Sequence, residues 1–186
     1  MFIQTEETPN PSTLKFLPGK QVVVGSSVEF KNKDEAKTSE LANILFQNVN
    51  VTNVFFGSDF ISITKDDSVT WDVIKPDLLS KIMDFFSSGG VVTSETQVSS
   101  EIKETYSKED SKIVEEIKVL LDEKIKPAVA QDGGDISFIK FDEGVVFLQL
   151  RGACSGCPSS TLTLKSGIEN MLKYYIPEIV SVEAIN

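Results

Sequence analysis

Apolar residues recur along this chain with two periods, and the change between them marks its elements. In the first half, Phe2 to Thr5, Leu14 to Leu17, Val51 to Phe56 and Phe60 to Thr64 are short apolar runs that predict strands. Gly57-Ser58-Asp59 is a hairpin turn between the last two. Thr8-Pro9-Asn10-Pro11 carries two prolines, which forbid helix and dictate a rigid turn, and Pro18-Gly19 stops the second strand. Leu41, Ile44 and Leu45 repeat at helical spacing within a segment from about Asp34 to Gln47. Ile74, Leu78, Ile82 and Phe85 or Phe86 mark a second helix that ends before Gly89-Gly90. Pro76 fits that helix in its first turn or kinks it.

The second half is more regular. Ile113, Val114, Ile117, Leu120, Leu121 and Ile125 form one stripe of an amphipathic helix, with a cap near Ser107 to Asp110 and an end at Pro127. Asp132-Gly133-Gly134-Asp135 is a turn signal. Ile136 to Phe141 and Val145 to Leu150 then predict a hairpin around a three-residue Asp142-Glu143-Gly144 loop. A helix follows from Pro158, with Leu164, Ile168, Met171, Leu172 and Tyr175 on one face and Pro177 at its end. Ile179 to Val182 predicts an edge strand. Between the halves, residues 93–107 are mostly Ser, Thr, Glu and Lys, which bury too little to offset their ordering entropy. The predicted fold class is therefore α+β: two small α/β-type domains, 1–92 and 108–186, joined by the polar linker 93–107.

Charge and composition narrow the function. Lys and Arg number 18 and Asp and Glu 28, a net charge of −10 divided evenly between the halves. Such a surface repels phosphate backbones and anionic lipid, so neither nucleic acid nor membrane is an expected partner. No apolar run reaches the roughly 18 residues that cross a bilayer. The opening Met1-Phe2-Ile3-Gln4-Thr5-Glu6-Glu7 resembles neither a secretory signal nor a transit peptide. It favours a bacterial cytoplasm, with a mitochondrial matrix after processing as the alternative.

The chain has no histidine and two cysteines. Without imidazole it cannot run Ser-His-Asp or Cys-His catalysis, and no enzyme activity or catalytic residue is expected. Two cysteines at this size make no disulfide framework. Both lie in Arg151-Gly152-Ala153-Cys154-Ser155-Gly156-Cys157-Pro158, where the two-residue spacing turns both sulfurs toward one point. Gly152 and Gly156 permit tight turns. A helix starting near Pro158 sets its positive end beside Cys157 and favours the thiolate, the form that binds metal. The loop is expected to keep the pair accessible. A thiol–disulfide exchange centre is a rival, although redox CxxC motifs sit near a βαβ pattern and here a hairpin precedes the motif.

Ligand counting favours a shared metal centre. Structural zinc and both common iron–sulfur clusters need four soft ligands, and one chain offers two. Two copies of Cys154 and Cys157 across a two-fold axis supply four, which predicts a labile centre at a dimer interface. A zinc-bridged structural dimer meets the same count.

Other polar groups carry bland readings. Asp132 and Asp135 are turn and strand-start residues. Arg151 either steadies a thiolate or is a solvated strand-end cation. Trp71, Phe85 and Phe86 belong to the core, Ser159, Ser160 and Thr161 support the helix start, and Glu115-Glu116 is a solvated face.

The run from Asp132-Gly133-Gly134-Asp135 through Gly152-Ala153-Cys154-Ser155-Gly156-Cys157-Pro158-Ser159-Ser160 to Leu164-Lys165 and Ile168-Glu169 resembles the C-terminal domain of NifU-type proteins. Thr8-Pro9-Asn10-Pro11, Leu14-Lys15-Phe16, Pro18-Gly19, Phe55-Phe56-Gly57, Phe60-Ile61 and Trp71 are similar to the N-terminal domain of Nfu scaffold proteins. That resemblance implies iron–sulfur cluster assembly. A [4Fe–4S] cluster, with [2Fe–2S] as the alternative, is held between two subunits by Cys154 and Cys157 and passed to apo recipient proteins. It also implies exchange with the cluster assembly machinery, and cluster loading that drives homodimerisation. By exclusion, the N-terminal domain selects targets.

Overall fold

The computed structural model describes residues 2–92, 108–156 and 158–185. The connector 93–107, Cys157 and the side chains of Ser159, Ser160 and Thr161 lie outside the described set. Two compact units divide the chain, 1–97 and 98–186. Both combine antiparallel strands with helices, an α+β fold.

The first unit is a five-stranded sheet in the order β1-β2-β5-β4-β3, antiparallel throughout. Its strands are β1 (Gln4–Glu7), β2 (Thr13–Leu17), β3 (Val28–Phe30), β4 (Val51–Phe56) and β5 (Ile61–Lys65). Leu14, Phe16, Val54, Phe56, Ile61 and Ile63 pack in one core with residues of α1 (Glu40–Leu45) and α2 (Trp71–Ser87). The first strand lies further along than Phe2 to Thr5, because pairing with β2 rather than apolarity defines it; Phe2 is 80% exposed. The helix expected over Asp34 to Gln47 divides into a 3₁₀ turn, Glu35–Thr38, and α1. Ser39 between them is extended, and its side chain accepts from the Ala42 N–H, the capping role serine fills better than a helix interior. Pro76 sits in the second turn of α2, so the Asp72 carbonyl loses its intrahelical donor.

The Thr8-Pro9-Asn10-Pro11 segment is a turn, as expected, and it is hydrogen-bonded. The Thr8 hydroxyl donates toward the carbonyls of Asn10 (2.8 Å) and Thr13 (2.9 Å). The Trp71 indole N–H donates to the Pro11 carbonyl at 3.1 Å, which fastens α2 to the turn. Trp71 is only partly buried, whereas Phe85 and Phe86 are core.

The second unit opens with α3 (Lys108–Leu120), a π-helical turn Leu121–Ile125, and α4 (Lys126–Gln131). Pro127 therefore does not end the helix. Proline offers no N–H to the carbonyl four residues back and its ring crowds that carbonyl; the widened turn just before it relieves both. β6 (Gly134–Asp142) and β7 (Val145–Gly152) form the hairpin. Asp142 pairs with Val145, so the loop has two residues, not three. Glu143 and Gly144 are both left-handed (φ 46° and 83°), which matches the twist of a tight hairpin. α5 (Pro158–Tyr175) leads to β8 (Ser181–Ile185), which pairs with β7 in parallel at the sheet edge. β7–α5–β8 is thus a βαβ unit, and the expectation that a hairpin replaces it near the cysteines is corrected: the motif follows a hairpin and also opens a crossover helix. No helix among the described residues is long and apolar enough to cross a membrane.

Candidate metal centre

The cysteine loop is held where the hairpin ends. β6 begins and β7 finishes on glycine, and Gly134 pairs with Gly152 across the ladder. Gly133, one residue past the cap of α4, is left-handed (φ 79°) and its N–H bonds the Ala130 carbonyl at 3.1 Å, closing that helix. The Gly133 carbonyl accepts the Ala153 N–H at 3.1 Å. The end of α4 is thereby tied to the residue before Cys154. Gly152 (φ 64°) turns the chain and its carbonyl accepts the Ser155 N–H at 3.0 Å; Gly156 (φ 78°) is left-handed as well. Both glycines do what the sequence required of them.

Cys154 is 6% exposed and belongs to the apolar cluster that includes Ile136, Leu148, Leu150, Ile168 and Leu172. A Cβ placed on Gly134 would lie 2.5 Å from Cys154 Sγ and 2.8 Å from the Arg151 carbonyl oxygen. Real Cβ atoms do not approach so closely, so the absent side chain of Gly134 is the berth of the thiol. The Asp132–Asp135 turn lays β6 against the cysteine loop, as the glycine pair predicts. The expectation of an accessible pair is corrected for Cys154. Strand parity does not reach Cys154: β7 ends at Gly152, where the chain turns, and Ala153 and Cys154 are both buried beyond it.

Arg151 stands on the other face of β7, where it donates to Gln149 Oε1 at 3.1 Å; that is the strand-end reading. Asp132 is exposed at the cap of α4, and Asp135 sits opposite Arg151 in the ladder. Among the described residues, no three His, Cys, Asp or Glu side chains gather as a metal site. Glu115 and Glu116 are exposed, as expected.

α5 opens at the residue after Cys157 and is fixed at its far side by carboxylates. Glu169 accepts from Lys173 (2.6 Å) and from the Val182 N–H of β8 (3.0 Å), and Lys165 pairs with Glu183 at 2.8 Å. The hydrogen bonds from Lys173 and Val182 hold the Glu169 carboxyl below the usual range.

Comparison with known proteins agrees with this organisation. Residues 3–89 match the family described as scaffold protein Nfu/NifU N terminal, and residues 117–183 match the NifU-like domain. The chain is 49% identical over 185 residues to NifU-like protein 5, mitochondrial, of Arabidopsis thaliana, covering 98% of this chain and 67% of that one. It is 48% identical over 187 residues to the Homo sapiens NFU1 iron-sulfur cluster scaffold homolog, mitochondrial, covering 100% and 72%. The chain spans about two thirds of the length of the curated relatives it matches. A solution NMR structure of a NifU-like protein from Saccharomyces cerevisiae is 34% identical, covers 52% of this chain and 87% of that one, and superposes with a TM-score of 0.47. Two domain families matched in order, and relatives near half identity over the whole of this chain, place it in the Nfu/NifU family of scaffold proteins.

Proposed function

We propose that this protein is a non-enzymatic iron–sulfur cluster scaffold and carrier. Two copies hold one [4Fe–4S] cluster through Cys154 and Cys157 of each, and the cluster leaves by thiolate exchange with the cysteines of an apo recipient protein. The observation that carries this reading is that the only two cysteines of a histidine-free chain share one glycine-turned loop. Half a coordination shell per chain requires a second chain. The relatives' names, which call those proteins iron–sulfur cluster scaffold homologs, support the cargo. Residues 108–186 act as the cluster-holding domain, and 1–92 as the part that selects partners among recipients and the assembly machinery, with 93–107 linking them.

Burial of Cys154 adds a step. The thiol begins in the notch at Gly134, so ligation brings it out of the core. The left-handed glycines at 152 and 156 flank the moving piece.

Those relatives are named mitochondrial, and we place this protein in the same compartment in preference to a bacterial cytoplasm. Fractionation of the source cells checks that placement.

Anaerobic reconstitution with iron and sulfide, followed by size-exclusion chromatography with absorbance and iron read across each peak, tests the function. The expected product is a brown dimer with about four iron atoms, the content of one cubane. Colour undiminished in Cys157→Ser would sink the assignment. The β7–α5–β8 unit keeps one rival in play, a CxxC oxidoreductase. That protein would reduce insulin disulfides as a metal-free monomer and lose the activity in Cys154→Ser.

A further inference from the structure

The solvent face of α5 differs from every expectation set by the composition. A quarter of the chain is charged and the net charge is −10. The exposed residues of α3 follow suit, with Lys112, Glu115, Glu116 and Lys118 on its outer side. On α5, however, the exposed positions Leu162, Thr163, Ser166, Gly167, Asn170 and Tyr174 are all uncharged. Their spacing (i, i+1, i+4, i+5, i+8, i+12) puts them on one arc of the helix. Leu162 is 70% exposed and Tyr174 81%, so apolar surface stands at both ends of the arc. Of the charged residues of the helix, Lys165 pairs with Glu183 off the arc, while Lys173 falls within it at i+11 and is neutralised there by Glu169. A Cβ on Gly167 would meet nothing within 4 Å, so the middle of the arc is open and low.

We infer that this face of α5 is the surface through which a second copy of the chain docks when the cluster is shared, an inference that rests on the scaffold reading above. Three considerations select a second copy over another occupant. The centre is incomplete without one, because each chain supplies two thiolates. The arc starts at the second turn of the helix that opens directly after Cys157, so a two-fold axis through the cluster passes close to the first turns of both α5 helices. A two-fold contact also sets each residue's surroundings against their own copy. Two chains of charge −10 each repel, and a face bearing exposed carboxylates would meet carboxylates; this face exposes none, and its one cation, Lys173, is paired with Glu169. Leu162 supplies apolar area next to the cluster, and the low surface at Ser166 and Gly167 lets the helices approach closely.

The test compares the full-length wild type with Leu162→Asp and, further along the arc, Asn170→Asp. Each variant places like charges across the axis while leaving the core untouched, so the apo proteins should keep the wild-type circular dichroism and thermal midpoint. After anaerobic reconstitution at equal concentration, the wild type should elute as a brown dimer. Both variants should shift to the monomer position, weaken association at least tenfold, and lose iron in proportion. Variants that load and dimerise as the wild type does would overturn the docking surface and leave the scaffold reading intact. If they load and dimerise but no longer pass the cluster to an apo recipient, the face belongs to the recipient and self-association through it is overturned. A wild type that carries its full iron as a monomer would overturn the scaffold reading itself, and this inference with it.

Discussion

At Gly134 a single hydrogen atom in place of a methyl decides where a thiol sits. The Cys154 sulfur occupies the volume that any Cβ at 134 would claim. Gly134→Ala should therefore push Cys154 out of the core, and the nearby Arg151 carbonyl adds backbone crowding that cannot rotate away. The overpacking should cost about 1–3 kcal/mol. A bare loss of stability would not separate this account from ordinary strain, so the readout is thiol chemistry. In the Cys157→Ser background, alkylation of Cys154 should be slow under native conditions and several-fold faster after Gly134→Ala. Equal rates would show that Gly134 does not shelter the thiol. Burial of this kind also explains why the cysteine pair and its glycines were legible in the sequence while the state of Cys154 was not. A CxxC spacing names the ligands. Whether a ligand is stowed depends on what β6 leaves vacant across the ladder, a contact between residues 20 positions apart.

Elements show the same division between local and distant causes. The β4–β5 hairpin, α2 and the β6–β7 hairpin followed from periodicity and turn residues, which act within a few positions. The π turn before Pro127, the break at Ser39 and the strand β3 did not, because each is settled by competition: a helix tolerating its proline, a serine capping rather than continuing, and an edge strand of three residues defined by its partner. Parallel pairing of β8 with β7 was invisible for a similar reason, since it is a choice of neighbour rather than of conformation. Two predictions belong to α5. Gly167 lies inside a helix with open space around its Cα, so Gly167→Ala should stabilise the apo protein by about 1 kcal/mol in urea titration. Glu169 links α5 to β8, and its folded carboxyl is held below its ordinary value by Lys173 and the Val182 N–H. A lowered folded value means the unfolded chain binds the proton more readily. The contribution is therefore fully present above the unfolded glutamate value of about 4.3 and disappears as pH falls through the lower folded value. Glu169→Gln should flatten that acid limb of the stability profile, measured by thermal unfolding across it, and change the neutral-to-alkaline side little in slope.

For the whole molecule, the scaffold reading makes stability depend on cargo and concentration together. Each chain carries its own two cores, one per unit, so the apo protein needs no partner to fold. Its unfolding midpoint should not move with protein concentration. The loaded form is different: the cluster binds two folded copies and neither unfolded one, so mass action adds stability that grows with the concentration of chains. Diluting the holo-protein should lower its midpoint toward the apo value, and an iron chelator should collapse dimer, colour and added stability in one transition. The order of events then distinguishes a carrier from a structural metal dimer. In a carrier, Cys154 returns to its notch as the cluster leaves, so released chains should recover the slow alkylation of the apo state within the same time course. Chains that stay dimeric after the iron is gone would show that contact between copies, rather than the shared cluster, holds the assembly, and the lability expected of a carrier would be lost.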